Sequence, residues 1–150
     1  MLMSIPPLPR WLGLAGLLPM AALLALVLGG GDQWRFSALA FGWGYAALIL
    51  SFLGGLWWGL AAAAGDRAPG WLWVASVLPS LFALATMLPW MIGSPWPGPS
   101  LVWLGLALLL SPLVDQRLAA SQLTPPWWLP LRLMLSGGLG VMSITMGLAA

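Results

Sequence analysis

Long uncharged runs of apolar residues dominate the chain, separated by short stretches of Arg, Asp, Pro and Gly. A helix needs about 20 apolar residues to cross the roughly 30 Å hydrocarbon core of a bilayer. Runs of this kind predict five transmembrane helices, at about 11–29, 42–64, 70–91, 100–113 and 129–148. The pattern therefore predicts an all-α fold, a polytopic integral membrane helix bundle that forms one transmembrane domain over residues 1–150.

Three of the predicted helices have features that bear on their limits. Pro19 lies inside the first and should kink it, because proline removes a backbone donor and clashes with the preceding turn. The second lies in a longer uncharged interval, so we expect it to tilt or to begin in the interface. The fourth is short, and the stretch 115–126 after it is the longest polar segment.

The composition narrows the chemistry that the chain can perform. Hydrophobic residues make up 61% of it and charged residues 5%, whereas soluble domains carry about a quarter charged residues. The sequence contains no His, Cys, Glu, Lys or Asn. We therefore expect no metal site and no catalytic residues, and hence no enzyme. Five scattered Arg residues form no basic stripe, which argues against nucleic acid as a partner.

The positions of Trp and Arg predict how the helices sit in the bilayer. Indole rings collect at membrane interfaces, and eight Trp residues fall at predicted helix ends: Trp11, Trp34, Trp71, Trp73, Trp90, Trp96, Trp127 and Trp128. Five helices place four Arg residues on one side (Arg10, Arg67, Arg117 and Arg132) and Arg35 on the other. The positive-inside rule then predicts a multi-pass protein of the bacterial inner membrane with a cytoplasmic N-terminus.

Small residues recur at every fourth position of the second predicted helix. They are Ala47, Ser51, Gly55, Gly59 and Ala63. A face without bulk lets another helix backbone approach closely, which favours association inside a membrane. We favour packing of this face against another helix of the same chain. The alternative is a face reserved for a second protein.

Two sets of polar residues are expected to have structural roles. Arg132 enters the last helix just inside an aromatic collar, where its head must reach water, a lipid phosphate or a carboxylate. We predict a structural ion pair with Asp115, or failing that with Asp66, at the cytoplasmic edge. Ser76 and Ser80 flank Pro79, and we expect them to satisfy carbonyls that the proline leaves free.

The order of several motifs resembles a membrane protein family that is catalogued only as a domain of unknown function. The matching runs are 45–59 (YAALILSFLGGLWWG), 13–19 (GLAGLLP) and 76–80 (SVLPS), followed by Asp115 and by Leu131-Arg132. The resemblance implies a five-helix inner-membrane protein, related to the animal mitochondrial transmembrane protein 69, with no established reaction. Members often carry His where this chain has Trp57, so a function that needs this His is not expected here.

Two functions remain open at this point. The first is a non-catalytic accessory or interaction subunit of a bacterial inner-membrane complex, which binds the lipid bilayer and other membrane proteins and could form a homo-oligomer. The alternative is a binder or carrier of a lipid, quinone or tetrapyrrole, in a pocket lined by Tyr45, Trp57 and Trp58. The sequence identifies no cofactor. An enzyme acting on lipids would need Asp66 or Asp115 as its acid or base, and is the least favoured reading.

Overall fold

The computed structural model describes residues 4–150, and every regular element in that range is helical. A single 3-10 turn, Gly65–Arg67, follows the third helix. The α-helices are α1 (Pro7–Ala15), α2 (Leu18–Gly29), α3 (Asp32–Ala64), α4 (Gly70–Ala85), α5 (Leu88–Met91), α6 (Gly98–Leu110), α7 (Pro112–Ala120) and α8 (Trp128–Leu148).

These helices join into five longer segments, which are numbered here in chain order. They are segment 1 (Pro7–Gly29), segment 2 (Asp32–Arg67), segment 3 (Gly70–Met91), segment 4 (Gly98–Ala120) and segment 5 (Trp128–Leu148). Each is long and apolar enough to cross a membrane, with mean hydropathies between 1.4 and 2.3. The prediction of an all-helical chain with five long apolar helices is thus confirmed.

Proline positions explain where two of the segments break. A proline clashes with the carbonyl of the residue four positions earlier. Helix α1 ends at Ala15, four residues before Pro19, and α4 ends at Ala85, four residues before Pro89. Pro79 lies inside α4 without breaking it. The kink predicted at Pro19 is therefore present as a break between α1 and α2.

Segment 4 is longer than its predicted range of 100–113, because α7 continues the helix to Ala120. Pro112 cannot donate the backbone hydrogen bond that the Leu108 carbonyl would otherwise accept. The Ser111 hydroxyl donates to this carbonyl instead, at 2.8 Å. Asp115 was expected to open a polar loop, but it is fully buried on α7. Burying an ionised carboxylate inside a helix bundle is costly unless its charge is paired.

Segments 4 and 5 pack closely along a row of glycines that was not predicted from the sequence. A Cβ atom at Gly105 would lie 2.7 Å from the Gly140 carbonyl oxygen, and one at Gly147 would lie 2.6 Å from that of Gly98. Real Cβ atoms do not approach backbone so closely, so only glycine permits this contact. The two glycines on each helix lie seven residues apart, which keeps them on one face.

The molecule has an apolar interior and an apolar outside. Leucines such as Leu72, Leu104 and Leu108 are completely buried, together with Met20 and Met146. Many further large apolar side chains are exposed on every segment. Such continuous exposed apolar surface is typical of a chain whose surroundings are not water.

Candidate functional site: a buried Asp115–Arg132 cluster with grooves beside it

Asp115 of α7 and Arg132 of α8 form a buried ion pair. The Arg132 Nε atom lies 3.1 Å from Asp115 Oδ2, and the two residues are 6% and 0% exposed. Arg132 lies one turn inside segment 5, and Asp115 lies between one and two turns from the end of segment 4. The structure therefore brings together the two residues that the sequence analysis paired. Asp66, the alternative partner, is exposed in the 3-10 turn.

Two indole groups complete the surroundings of the Asp115 carboxylate. Oδ1 accepts hydrogen bonds from Trp57 Nε1 at 3.1 Å and from Trp128 Nε1 at 2.9 Å. An ionised carboxylate only accepts hydrogen bonds, and charged acceptors form stronger ones than neutral acceptors. Because Trp57 belongs to α3, the carboxylate ties segment 2 to the pair formed by segments 4 and 5.

Two serines hold the far edge of the Arg132 guanidinium. Its Nη2 atom donates to Ser136 Oγ at 2.8 Å and to Ser111 Oγ at 3.2 Å. The Ser111 hydroxyl donates its proton to the Leu108 carbonyl. The Ser111 and Ser136 hydroxyls lie 3.1 Å apart, so Ser136 is the donor in the hydrogen bond between them. Every hydroxyl in the cluster therefore has a defined direction, and the buried charge is well compensated.

The sequence contains a spacing pattern that identifies three further members of the cluster, although they were not predicted. Ser111 lies four residues before Asp115, and Trp128 and Ser136 lie four residues on either side of Arg132. Positions four apart share a helix face. A search for polar or amphipathic partners at this spacing would have found three members of the cluster. Trp57 comes from a distant helix, and no local spacing identifies it.

Tyr45, Trp57 and Trp58, which were expected to line one pocket, lie in three different surroundings. The Tyr45 hydroxyl donates to the Gly16 carbonyl at 2.5 Å, in the break between α1 and α2. Trp57 is buried against Asp115, while Trp58 is half exposed and packs edge-on against Trp73 at 4.8 Å. Consecutive helical residues point about 100° apart, and Tyr45 lies about 18 Å along the helix from Trp57. The prediction of a shared pocket is therefore wrong.

The small-residue face of segment 2 is only partly packed inside the chain. Ala47 and Ser51 are half buried, whereas Gly55, Gly59 and Ala63 are exposed. A Cβ atom at Gly55 or Gly59 would meet nothing within 4 Å. The physical reason is helical drift, because a spacing of four exceeds 3.6 residues per turn by about 40° per step. The preferred prediction, packing within the chain along the whole face, is thus wrong for its second half.

Gly54, next to this face, makes the actual close contact between segments 2 and 3. A Cβ atom there would collide with the Ser76 carbonyl oxygen. Beside this contact the Ser51 and Ser80 hydroxyls are hydrogen bonded at 2.8 Å, and the Ser76 hydroxyl donates to the Trp73 carbonyl. The carbonyl that Pro79 frees is that of Ala75, so neither serine has the role predicted for it.

Three of the grooves on the described surface are relevant to binding of a ligand or a helix. The Trp57 groove, of about 600 Å³, lies between segments 2, 3 and 4 and is lined by Trp57, Pro79, Phe82, Ser111 and neighbouring apolar residues. The Arg132 groove, of about 330 Å³, lies between segments 1, 2 and 5 and includes Leu12, Gly13, Gly16, Trp128 and Arg132. The Gly55 groove, of about 420 Å³, runs between α3 and α4 and includes Ser51, Gly55, Trp58 and Ser80.

Residues 4–150 contain no group of three or more Asp, Glu, His or Cys side chains that could hold a metal ion.

In a comparison with known families, residues 5–149 match the family described as "Protein of unknown function (DUF3429)". The chain belongs to this family, since the match covers nearly its whole length. No curated protein and no solved structure matches it.

Proposed function

We propose that this member of the family is a multi-pass protein of the bacterial inner membrane and acts there as a non-catalytic accessory subunit. It binds a helix of another membrane protein in the Gly55 groove. The relation to the mitochondrial transmembrane protein 69 stays a prediction of the sequence resemblance.

The apolar exterior and the distribution of arginines support the membrane location and its orientation. Arg117 lies over the Trp71 ring, at the end of the bundle where segment 5 begins with the buried Arg132. Arg35 lies at the opposite end, where it donates to the Val27 and Ala149 carbonyls. Positive charge concentrates on the cytoplasmic side of membrane proteins. This favours a cytoplasmic N-terminus and a C-terminus on the other side.

The state of Asp115 supports a role without catalysis. Its carboxylate has no exposed surface, and its two oxygens accept three hydrogen bonds. A general base must reach the proton that it removes, and this carboxylate is already used by the fold. Asp66 stands exposed in a turn, outside all three grooves.

The open half of the small-residue face is the observation that carries the proposal of a partner helix. Gly55 and Gly59 leave room for a second backbone, and helices inside membranes associate by such close packing. The exposed Ser80 and the half-buried Ser51 hydroxyls lie on the same groove. Hydroxyl groups that face lipid are stabilised by a protein neighbour that can form hydrogen bonds with them. A partner helix would cover both features at once.

Site-directed crosslinking tests this proposal in the native membrane, because the chain contains no cysteine of its own. We expect Gly59→Cys to crosslink to a second membrane protein, and Gly55→Leu to abolish that crosslink in the double variant. Gly137→Cys on α8 is the matched control, since it also faces open space. Equal crosslinking from both positions, or none from Gly59→Cys, would contradict a docking face. Crosslinking only to a second copy would assign the face to a homo-oligomer.

A second candidate function, binding of an apolar ligand such as a lipid, quinone or tetrapyrrole, is favoured by the Trp57 groove. Its volume of about 600 Å³ falls within the usual range for small-molecule sites, about 300–1,000 Å³. Its lining is almost entirely apolar, which suits such a ligand. Mass spectrometry and absorption spectra of the protein purified from its native membrane would test this role. A stoichiometric ligand lost in Ala107→Trp would support it, and its absence would exclude it.

A further inference from the structure

The Arg132 guanidinium has one nitrogen that the buried cluster does not use. Its Nε atom donates to Asp115, and its Nη2 atom donates to Ser111 and Ser136. Among residues 4–150, none accepts a hydrogen bond from the remaining nitrogen, Nη1. A guanidinium is planar and presents its donors in fixed directions. Two N–H groups of a side chain that is only 7% exposed are thus left for a partner outside the described chain.

Arg132 also lines a narrow apolar groove, which is the place where such a partner can lie. The Arg132 groove is lined by Leu12, Gly13 and Gly16 on segment 1, by side chains of segment 2, and by Trp127, Trp128 and leucines of segment 5. Its volume of about 330 Å³ is at the small end for ligand sites. The apolar lining of this groove fits one hydrocarbon chain of an amphiphile. The Arg132 guanidinium at its side fits an anionic group on the same molecule.

Charge at this end of the molecule selects an anionic group over a zwitterionic one. Arg10 follows Pro9 of the groove lining and is exposed over the Trp11 ring. The Asp115 carboxylate is fully buried against Arg132, Trp57 and Trp128, so it does not offset the charge of the exposed Arg10. Basic pockets between helices at the cytoplasmic side of membrane proteins bind lipid head groups, and Arg is suited to phosphate oxygens.

We propose that the Arg132 groove is a binding site for one anionic phospholipid of the surrounding bilayer. One acyl chain lies in the groove against Leu12, Gly13 and Gly16. The phosphate or the adjoining ester oxygen accepts hydrogen bonds from Arg132 Nη1, and Arg10 attracts the negative head group. The inference rests on the proposed membrane location. It is independent of the partner helix, because the Gly55 groove and the Arg132 groove share no residue.

Native mass spectrometry of the purified full-length chain tests this site with defined lipids. The probe is phosphatidylglycerol titrated into detergent micelles, compared with phosphatidylcholine of the same acyl chains. We expect one phosphatidylglycerol molecule to be retained with about fivefold preference, because only its head group carries a net negative charge for Arg10 to attract. Arg132→Lys keeps the charge beside Asp115 but removes the Nη1 donors. This variant should lower the retention of phosphatidylglycerol about tenfold, the contribution of one charge-assisted hydrogen bond.

A second variant keeps the test valid if substitution of Arg132 disturbs folding. Leu12→Trp fills the groove without replacing any residue of the cluster and should lower phosphatidylglycerol retention about tenfold. Leu28→Trp is the matched control, because Leu28 is equally exposed, 64% against 65%, at the far end of segment 1. Equal retention of the two lipids would overturn the proposal, and so would equal retention by both Trp variants. Retention of free fatty acid in place of phospholipid would also overturn it.

Discussion

Removing either member of the Asp115–Arg132 pair should destabilise the protein far more than its single ion pair suggests. Arg132→Met leaves the carboxylate buried without its cation, and Asp115→Asn leaves the guanidinium buried without its anion. Breaking a buried ion pair from one side costs about 3–5 kcal/mol, because the surviving charge stays desolvated. Asp115→Asn also weakens the hydrogen bonds from Trp57 and Trp128. We therefore expect its cost at the upper end of that range.

The double variant separates the pair energy from the cost of a stranded charge. With both charges gone no ion is left buried, so the double variant should be more stable than the sum of the single effects predicts. We expect a coupling energy of about 2–3 kcal/mol, near the top of the range for residues in one network. The measurement is equilibrium unfolding of the four proteins in mixed detergent micelles. Asp66→Asn, at an exposed carboxylate, is the control and should stay within about 0.5 kcal/mol of the parent.

Additivity of the two single effects within about 0.5 kcal/mol would refute this reasoning. It would mean that each residue reaches water or lipid phosphate independently, in spite of their 3.1 Å contact. A loss of less than about 1 kcal/mol in each single variant would also refute it, because exposed ion pairs contribute only this much to the free energy of unfolding.

Three further predictions follow from the packing and the proposed topology. Gly105→Leu should cost at least about 1–3 kcal/mol by forcing segments 4 and 5 apart, whereas Gly137→Leu, which faces open space, should change the free energy of unfolding by less than about 0.5 kcal/mol. Trp128→Phe keeps an aromatic ring but removes a donor to Asp115, and should cost about 1.5–3 kcal/mol in the same unfolding assay. A periplasm-active reporter should be active when fused after Ala150 and inactive when fused after Ser121, and the reverse pattern would contradict the proposed orientation.

Hydropathy and proline were sufficient to predict the helices, because both act locally along the chain. The five apolar runs are visible in any window of about 20 residues, and Pro19 marks a break by its own geometry. The end of segment 4 was missed for the opposite reason. Asp115 looks like the start of a loop when only the sequence is read. It continues a helix because residues from two other helices neutralise it.

The Asp115–Arg132 pair of the candidate site could be predicted from the sequence, because few partners can accommodate a buried arginine. A buried guanidinium needs a carboxylate, and connectivity brings the end of segment 4 next to the start of segment 5, so Asp115 and Arg132 could be paired from sequence. Trp57 could not be assigned to the cluster, because its place depends on how α3 packs against α7. The small-residue face failed for a geometric reason, since a spacing of four rotates around a helix that turns every 3.6 residues.

The contacts divide the bundle into a fixed pair of segments and a set of open surfaces around it. Segments 4 and 5 are held at one end by the Asp115–Arg132 cluster and along their length by the glycine contacts at Gly105 and Gly140. Segment 1 is attached differently, with the hydrogen bond from Tyr45 to the Gly16 carbonyl at its break. The Arg132 groove runs along segment 1, and the Gly55 groove lies between segments 2 and 3. A lipid or a helix bound at these surfaces, as proposed, would therefore leave the pairing of segments 4 and 5 and their buried charges intact.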